Sequence, residues 1–138
     1  MSPSRLPAAL RRQVRERAGY RCEYCLLAEE DAHLPHEPDH IIAEKHGGAS
    51  TLENLALACF DCNRFKGSNI ASLDPKSGQL VPLFNPRTQN WEEHFEVSGG
   101  QIMPLTAVGR VTEQVLRLDL PKRVEVREIL ADLGDYPG

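Results

Sequence analysis

The sequence predicts a small α+β domain stapled by its cysteines, and three observations carry that expectation. Two Cys-x-x-Cys pairs, Cys22/Cys25 and Cys59/Cys62, use every cysteine in the chain. Apolar residues recur at helical spacing near both ends, while short β-prone runs and Pro/Gly-rich stretches fill the middle. The 138 residues, 41% apolar and 26% charged, suffice for one modest hydrophobic core. A single domain is expected: an N-terminal helix to residue 20, a cysteine-stapled core over 20–70, and a hairpin with helices over 71–138.

Residues 7–18 predict a helix, because Leu10, Val14 and Ala18 fall at i, i+4 and i+8 with arginines around them. Gly19 stops it before the first cysteine pair. From Leu34 to Ile42 the chain reads as extended, since Pro35 and Pro38 bar a helix. "HGGAS" is a loop, "TLENLALAC" leads into the second cysteine pair, and "FDCNRFKG" is a short helix that Gly67 closes. The Pro/Gly-rich stretch "LDPKSGQLVPLFNPRTQ" reads as a connection around the apolar run Leu80 to Phe84. Trp91 and Phe95 anchor this segment onto the core. "FEVSGGQIM" predicts a hairpin about Gly99-Gly100. Thr106 caps a helix with Val108, Val111, Val115 and Leu118 on one face. Pro121 opens a last helix with Val126, Ile129, Leu130 and Leu133 on one stripe, ended by Gly134.

No apolar run approaches the roughly 20 residues of a membrane span, and the N-terminus lacks a signal peptide's apolar stretch, so the cytoplasm is the default compartment. In a reducing compartment two disulfides are unfavoured, and the spacing within each cysteine pair suits thiolates converging on one zinc ion. Redox chemistry at one Cys-x-x-Cys explains one pair and not two. Thirty-three residues separate the pairs, so a sizeable segment is looped out between them.

Net charge is −4, which by itself disfavours a nucleic-acid partner, but it is unevenly distributed. Residues 1–25 carry six arginines against Glu16 and Glu23, a local +4. Residues 26–62 carry Lys45 against eight acids, a local −7. The basic arm suits phosphates, or is only a solvated helix face; the acidic centre suits cations.

In order, the chain reads "RCEYC", "PDHII", "GG", "ENLALAC" and "CNRFKG". This series resembles the HNH endonuclease family, in the branch whose ββα-metal motif (the His-Me finger) is held by a four-cysteine zinc. The segment "FNPRTQNWEEHF" followed by "LTAVGR" also looks like an extension found in some bacterial members. The resemblance implies a DNA endonuclease with two metals, structural Zn²⁺ on Cys22, Cys25, Cys59 and Cys62 and catalytic Mg²⁺ or Mn²⁺ on oxygen. Asp39 would be the first ligand of the catalytic ion and His40 the general base. Asn54 would tie the loop to the strand carrying His40. Asn63, where the family name expects a histidine, would be the second ligand; capping the helix is its bland role. An Asp and an Asn oxygen make a hard site that favours Mg²⁺ or Mn²⁺ over zinc. Arg64 and Lys66 would meet flanking phosphates, joined by Arg11, Arg12 and Arg15 of the basic arm. His46 has two open readings, a substrate contact or a residue that orders the loop. Because neighbours on a strand point to opposite faces, Asp39 and His40 could share one site through a bulge near Pro38, with Ile41 and Ile42 anchoring the strand.

The competing reading is a zinc-stabilised nucleic-acid or protein binding module without chemistry. Such a module needs the cysteines but not Asp39, His40 and Asn63 together.

Overall fold

At the centre, two strands and a helix succeed one another with the cysteines at their ends. In the computed structural model, which describes residues 6–138, strand β1 (Glu37–His40) pairs antiparallel with β2 (Leu55–Ala58). Residues 1–5, including Arg5 of the basic arm, lie outside the described residues. The register runs one-to-one from Glu37↔Ala58 to His40↔Leu55, so there is no bulge at Pro38. Helix α2 (Phe60–Lys66) begins one residue after β2, with Cys59 as its N-cap.

The four residues of β2, Leu-Ala-Leu-Ala, are all buried, and their alternation divides the interior. Leu55 and Leu57 pack with Leu6 and Val14 beneath helix α1 (Ala8–Arg17). Ala56 and Ala58 face the other way, among the cysteines, Tyr24 and Ile41. Small side chains here leave room for four sulfurs next to a strand.

The rest of the chain forms a cover around this centre. Hairpin β3–β4 (Ala71–Leu73 and Leu80–Pro82) precedes the single turn α3 (Trp91–His94) and hairpin β5–β6 (Phe95–Ser98 and Gln101–Pro104). Helices α4 (Ala107–Leu116) and α5 (Pro121–Asp132) complete it. Phe84, Phe95, Ile102, Val111, Leu116 and Leu118 extend the cysteine-side core outward. Trp91 stacks 5.0 Å from Phe95 and donates its indole N–H to the Tyr24 carbonyl at 2.9 Å, joining cover to centre. Thr106 caps α4, its hydroxyl accepting from the Gly109 amide at 3.1 Å.

Two sequence expectations are corrected. The stretch from Leu73 contains a hairpin rather than a plain connection. Its turn is closed by Asp74, whose carboxylate accepts from the Ser77 hydroxyl at 2.8 Å and from the Arg110 guanidinium of α4 at 2.8 and 3.0 Å. The strands are only three residues each, too short for alternation to show.

Helix α5 is inverted. An apolar stripe on a surface helix ordinarily faces the core, yet Val126, Ile129 and Leu133 are 46%, 57% and 69% exposed while Arg123 and Arg127 are buried. The cause is the C-terminal end of α4, whose last carbonyls have no partner inside the helix. Arg123 donates to the Leu116 and Arg117 carbonyls at 2.8 and 3.1 Å. Arg127 donates to the carbonyls of Leu118 at 2.6 Å and Gly100 at 2.7 Å, and to Asp119 at 2.9 Å. Guanidinium forks satisfy several acceptors at once, which no aliphatic side chain does.

Candidate metal centres

The Sγ atoms of Cys22, Cys25, Cys59 and Cys62 all lie within 4.8 Å of one another, and all four cysteines are buried and unbridged. Cys25 and Cys59 approach to 3.6 Å; tetrahedral zinc with bonds of about 2.3 Å sets its sulfurs roughly 3.8 Å apart. Each knuckle turns an amide onto its first sulfur, Cys25 N–H on Cys22 and Cys62 N–H on Cys59, both at 3.4 Å. Sulfur donors, distances and turns fit a structural zinc.

The sulfurs receive a further donor from the C-terminal cover. Arg123 of α5 places Nη2 3.0 Å from Cys62 Sγ and 3.6 Å from Cys59 Sγ. Burial alone would pull its guanidinium down; the sulfurs of Cys62, Cys25 and Cys59 hold it above its ordinary value. A single positive charge thus sits against the cluster, where it would offset part of the net negative charge that four thiolates would give a bound zinc. Tyr136, from the chain's end, donates its hydroxyl to the Cys25 carbonyl at 2.7 Å.

A second candidate site is an open cavity that borders the C-terminal half of α2. Pro38, Asp39, His40, Ala43, Glu44, Lys45, Asn63, Gly67 and Ser68 line this cavity of about 350 Å³. Asp39, His40 and Asn63 therefore face one space without a bulge. The cavity lies where β1 ends beside the C-terminal turn of α2, so residues with different orientations both border it.

Asp39 is 5% exposed, and both of its hydrogen-bonding neighbours meet the same oxygen. Lys66 Nζ is 3.0 Å and the Tyr24 hydroxyl 3.0 Å from Oδ2, so Oδ1 is the oxygen that could take a cation. Burial pushes the Asp39 carboxyl up, while the Lys66 ammonium and the Tyr24 hydroxyl pull it back down. Burial, reinforced by Asp39, raises the Tyr24 phenol well above its usual range, so Tyr24 stays a donor.

His40 is half-buried, with Nε2 2.9 Å from the Ser50 hydroxyl. With Nε2–H donating to Ser50, Nδ1 keeps its lone pair. Asn54 holds the backbone just beyond it: its Oδ1 accepts from the Ile42 amide, and its Nδ2 donates to the Ile42 and Ala49 carbonyls, all at 2.9 Å. Gly48 lets this loop close, because a Cβ there would lie 1.7 Å from the Ile42 carbonyl oxygen.

The expected phosphate contacts are dispersed. Lys66 is 1% exposed and donates to the His40 carbonyl at 2.9 Å as well as to Asp39. Its placement is internal, set by the i, i+4 spacing from buried Cys62. Arg64 is exposed on α2 and pairs with Asp61 at 3.2 Å. Arg12 is exposed on α1, but Arg15 turns inward to the His36 carbonyl at 2.6 Å and Glu29 at 3.5 Å. Arg11 donates to the Leu6 carbonyl at 3.0 Å. His46 is exposed, 3.1 Å from the Ser68 carbonyl, bridging the loop to the end of α2. Sequence reasoning missed Tyr24, Ser50 and the internal role of Lys66. The last was open to detection, since Lys66 shares the inward face of its helix with a zinc-spaced cysteine.

Residues 22–69 match the family model described as HNH endonuclease. That span runs from the first cysteine past the end of α2 and contains both the cysteine cluster and the residues that line the cavity. No curated protein and no solved structure matches the chain.

Proposed function

We propose, from the HNH endonuclease match over residues 22–69, that the chain is a metal-dependent DNA endonuclease of the ββα-metal type. The observation that carries the reading is the convergence of Asp39, His40 and Asn63 on one open cavity. A nuclease domain without activity would not need those three groups in one place.

Asp39 and Asn63 would hold a hard divalent cation, whose charge neutralises the phosphodiester and the departing oxygen. Only two protein ligands leave room for water and substrate. His40 would take a proton from the attacking water on Nδ1, the role a neutral imidazole fills. Ser50 orients the ring through Nε2, and Asn54 fixes the loop that carries Ser50. Lys66 and Tyr24 hold Asp39 by one oxygen and present the other. The cysteine cluster is structural: it fastens the turn at Tyr24 and the N-terminus of α2.

Plasmid nicking with Mg²⁺ or Mn²⁺ tests the proposal. Supercoiled DNA should relax with either ion and not in its absence, while the zinc stays bound. A zinc-loaded, folded protein that binds DNA but nicks under neither ion would favour the binding module instead.

A further inference from the structure

On the outer side of α2, away from its buried Cys62–Lys66 face, two arginines meet one aromatic ring. The Arg64 guanidinium carbon lies 4.3 Å from the centroid of Phe65 and 5.5 Å from that of Phe60. Arg117, from the C-terminal end of α4, lies 5.0 Å from the same Phe65 ring. Phe60 is 51% exposed, and both arginines are exposed. We infer that Phe60, Arg64, Phe65 and Arg117 form a second nucleic-acid contact, a stacked arginine–aromatic platform that binds the DNA backbone beside the proposed cleavage site. The inference rests on the endonuclease reading and adds a residue from outside the segment that carries it.

Three features set this cluster apart from helix packing alone. First, a guanidinium laid on an aromatic ring keeps its N–H edge free, and that edge fits a phosphate. Second, Arg117 makes no ion pair among the described residues, so two guanidinium charges at one ring are met only by Asp61 on Arg64. Third, Arg117 occupies the C-cap of α4 in the left-handed region, φ 50° and ψ 51°, a place where glycine is unstrained and an arginine is not. That backbone turn is what brings an α4 side chain back over α2. Arg64 adjoins Asn63, which lines the cavity, so the platform and the cavity are built on the same helix α2.

Arg117→Gly tests the platform cleanly, because it removes the side chain and relieves the backbone. Its melting temperature should equal or exceed that of the wild type. Binding to a short labelled duplex, read by fluorescence anisotropy without added divalent ion, should weaken several-fold. The slope of log K against log salt should fall by about one. Arg117→Asn, which also tolerates this backbone, should behave alike; Arg117→Lys, which keeps charge but not the flat stack, should fall between. If both neutral variants bind with wild-type affinity and salt slope while the wild type nicks plasmid, the platform is wrong and the endonuclease reading stands. A folded wild-type protein that neither binds nor nicks duplex DNA overturns both.

Discussion

Lys66 shows how one residue can change the meaning of a motif. Read along the chain it is a cation two residues after Arg64, on a helix that should face phosphate. In the fold it is the inward cation that lets a carboxylate be buried, 3.0 Å from Asp39 and bonded to the neighbouring carbonyl of His40. Removing one partner of a buried ion pair typically costs about 3–5 kcal/mol, because the other charge is left behind. Lys66→Met should therefore lower stability by that order. Adding Asp39→Asn should restore part of the loss, with a coupling energy readable in denaturant titrations of the four variants. If the single and double variants are additive, the pair does not hold the centre. Asp39, His40 and Asn63 were named because the order of motifs about the cysteines resembles the HNH endonuclease family, and the fold brings all three to one cavity. Tyr24 and Ser50 have no such pattern, and only the folded loop shows them bonded to Asp39 and His40.

At the scale of elements, helices were legible where their inward face is apolar and illegible where it is polar. For α4, the Thr106 cap and the valine face predicted both the start and the buried side. For α5, the start at Pro121 was legible but the buried face was not, because Arg123 and Arg127 satisfy carbonyls of other elements. No periodicity within α5 encodes those acceptors.

The missed hairpin β3–β4 depends on a similar polar tie. The Arg110 guanidinium, with Ser77, holds the Asp74 carboxyl well below the usual carboxylate range. A carboxyl whose folded pKa is depressed stabilises the fold above its unfolded pKa, near 3.9. That contribution is lost progressively as pH falls below this value toward the much lower folded pKa. Asp74→Asn should accordingly melt earlier than wild type at pH 7, with the gap narrowing steadily between about pH 4 and pH 2. A gap that is constant over that range would mean that charge at Asp74 is not what fastens the hairpin to α4.

For the whole molecule, the cysteine cluster is where the separate pieces meet. The knuckle at Cys22–Cys25, the cap of α2 at Cys59, Arg123 of α5 and the Tyr136 hydroxyl all converge on it. A four-thiolate zinc in a small domain contributes on the order of 10 kcal/mol to folding. Cys59→Ser should lose zinc, uncap α2 and leave an unstable or aggregated protein, whereas wild type should carry one zinc per chain by metal analysis. Four freely titratable thiols in a folded, zinc-free protein would contradict this. Among the described residues no helix is long and apolar enough to cross a membrane. Net charge of −4 would leave the proposed DNA affinity to local clusters, so binding should weaken steeply with salt.

The division of labour proposed for the two centres makes one comparison decisive: single-turnover plasmid nicking by wild type, His40→Ala and Asp39→Ala at saturating Mn²⁺, with DNA binding measured on the same proteins. His40→Ala should remain folded, keep its zinc, bind DNA and divalent ion, and cleave roughly 10²- to 10⁴-fold more slowly. Asp39→Ala should lose cleavage through weakened divalent binding, seen as a raised Mn²⁺ requirement. Wild-type nicking together with equally fast nicking by His40→Ala would contradict the assignment of the base and, with it, the chemistry proposed for the cavity.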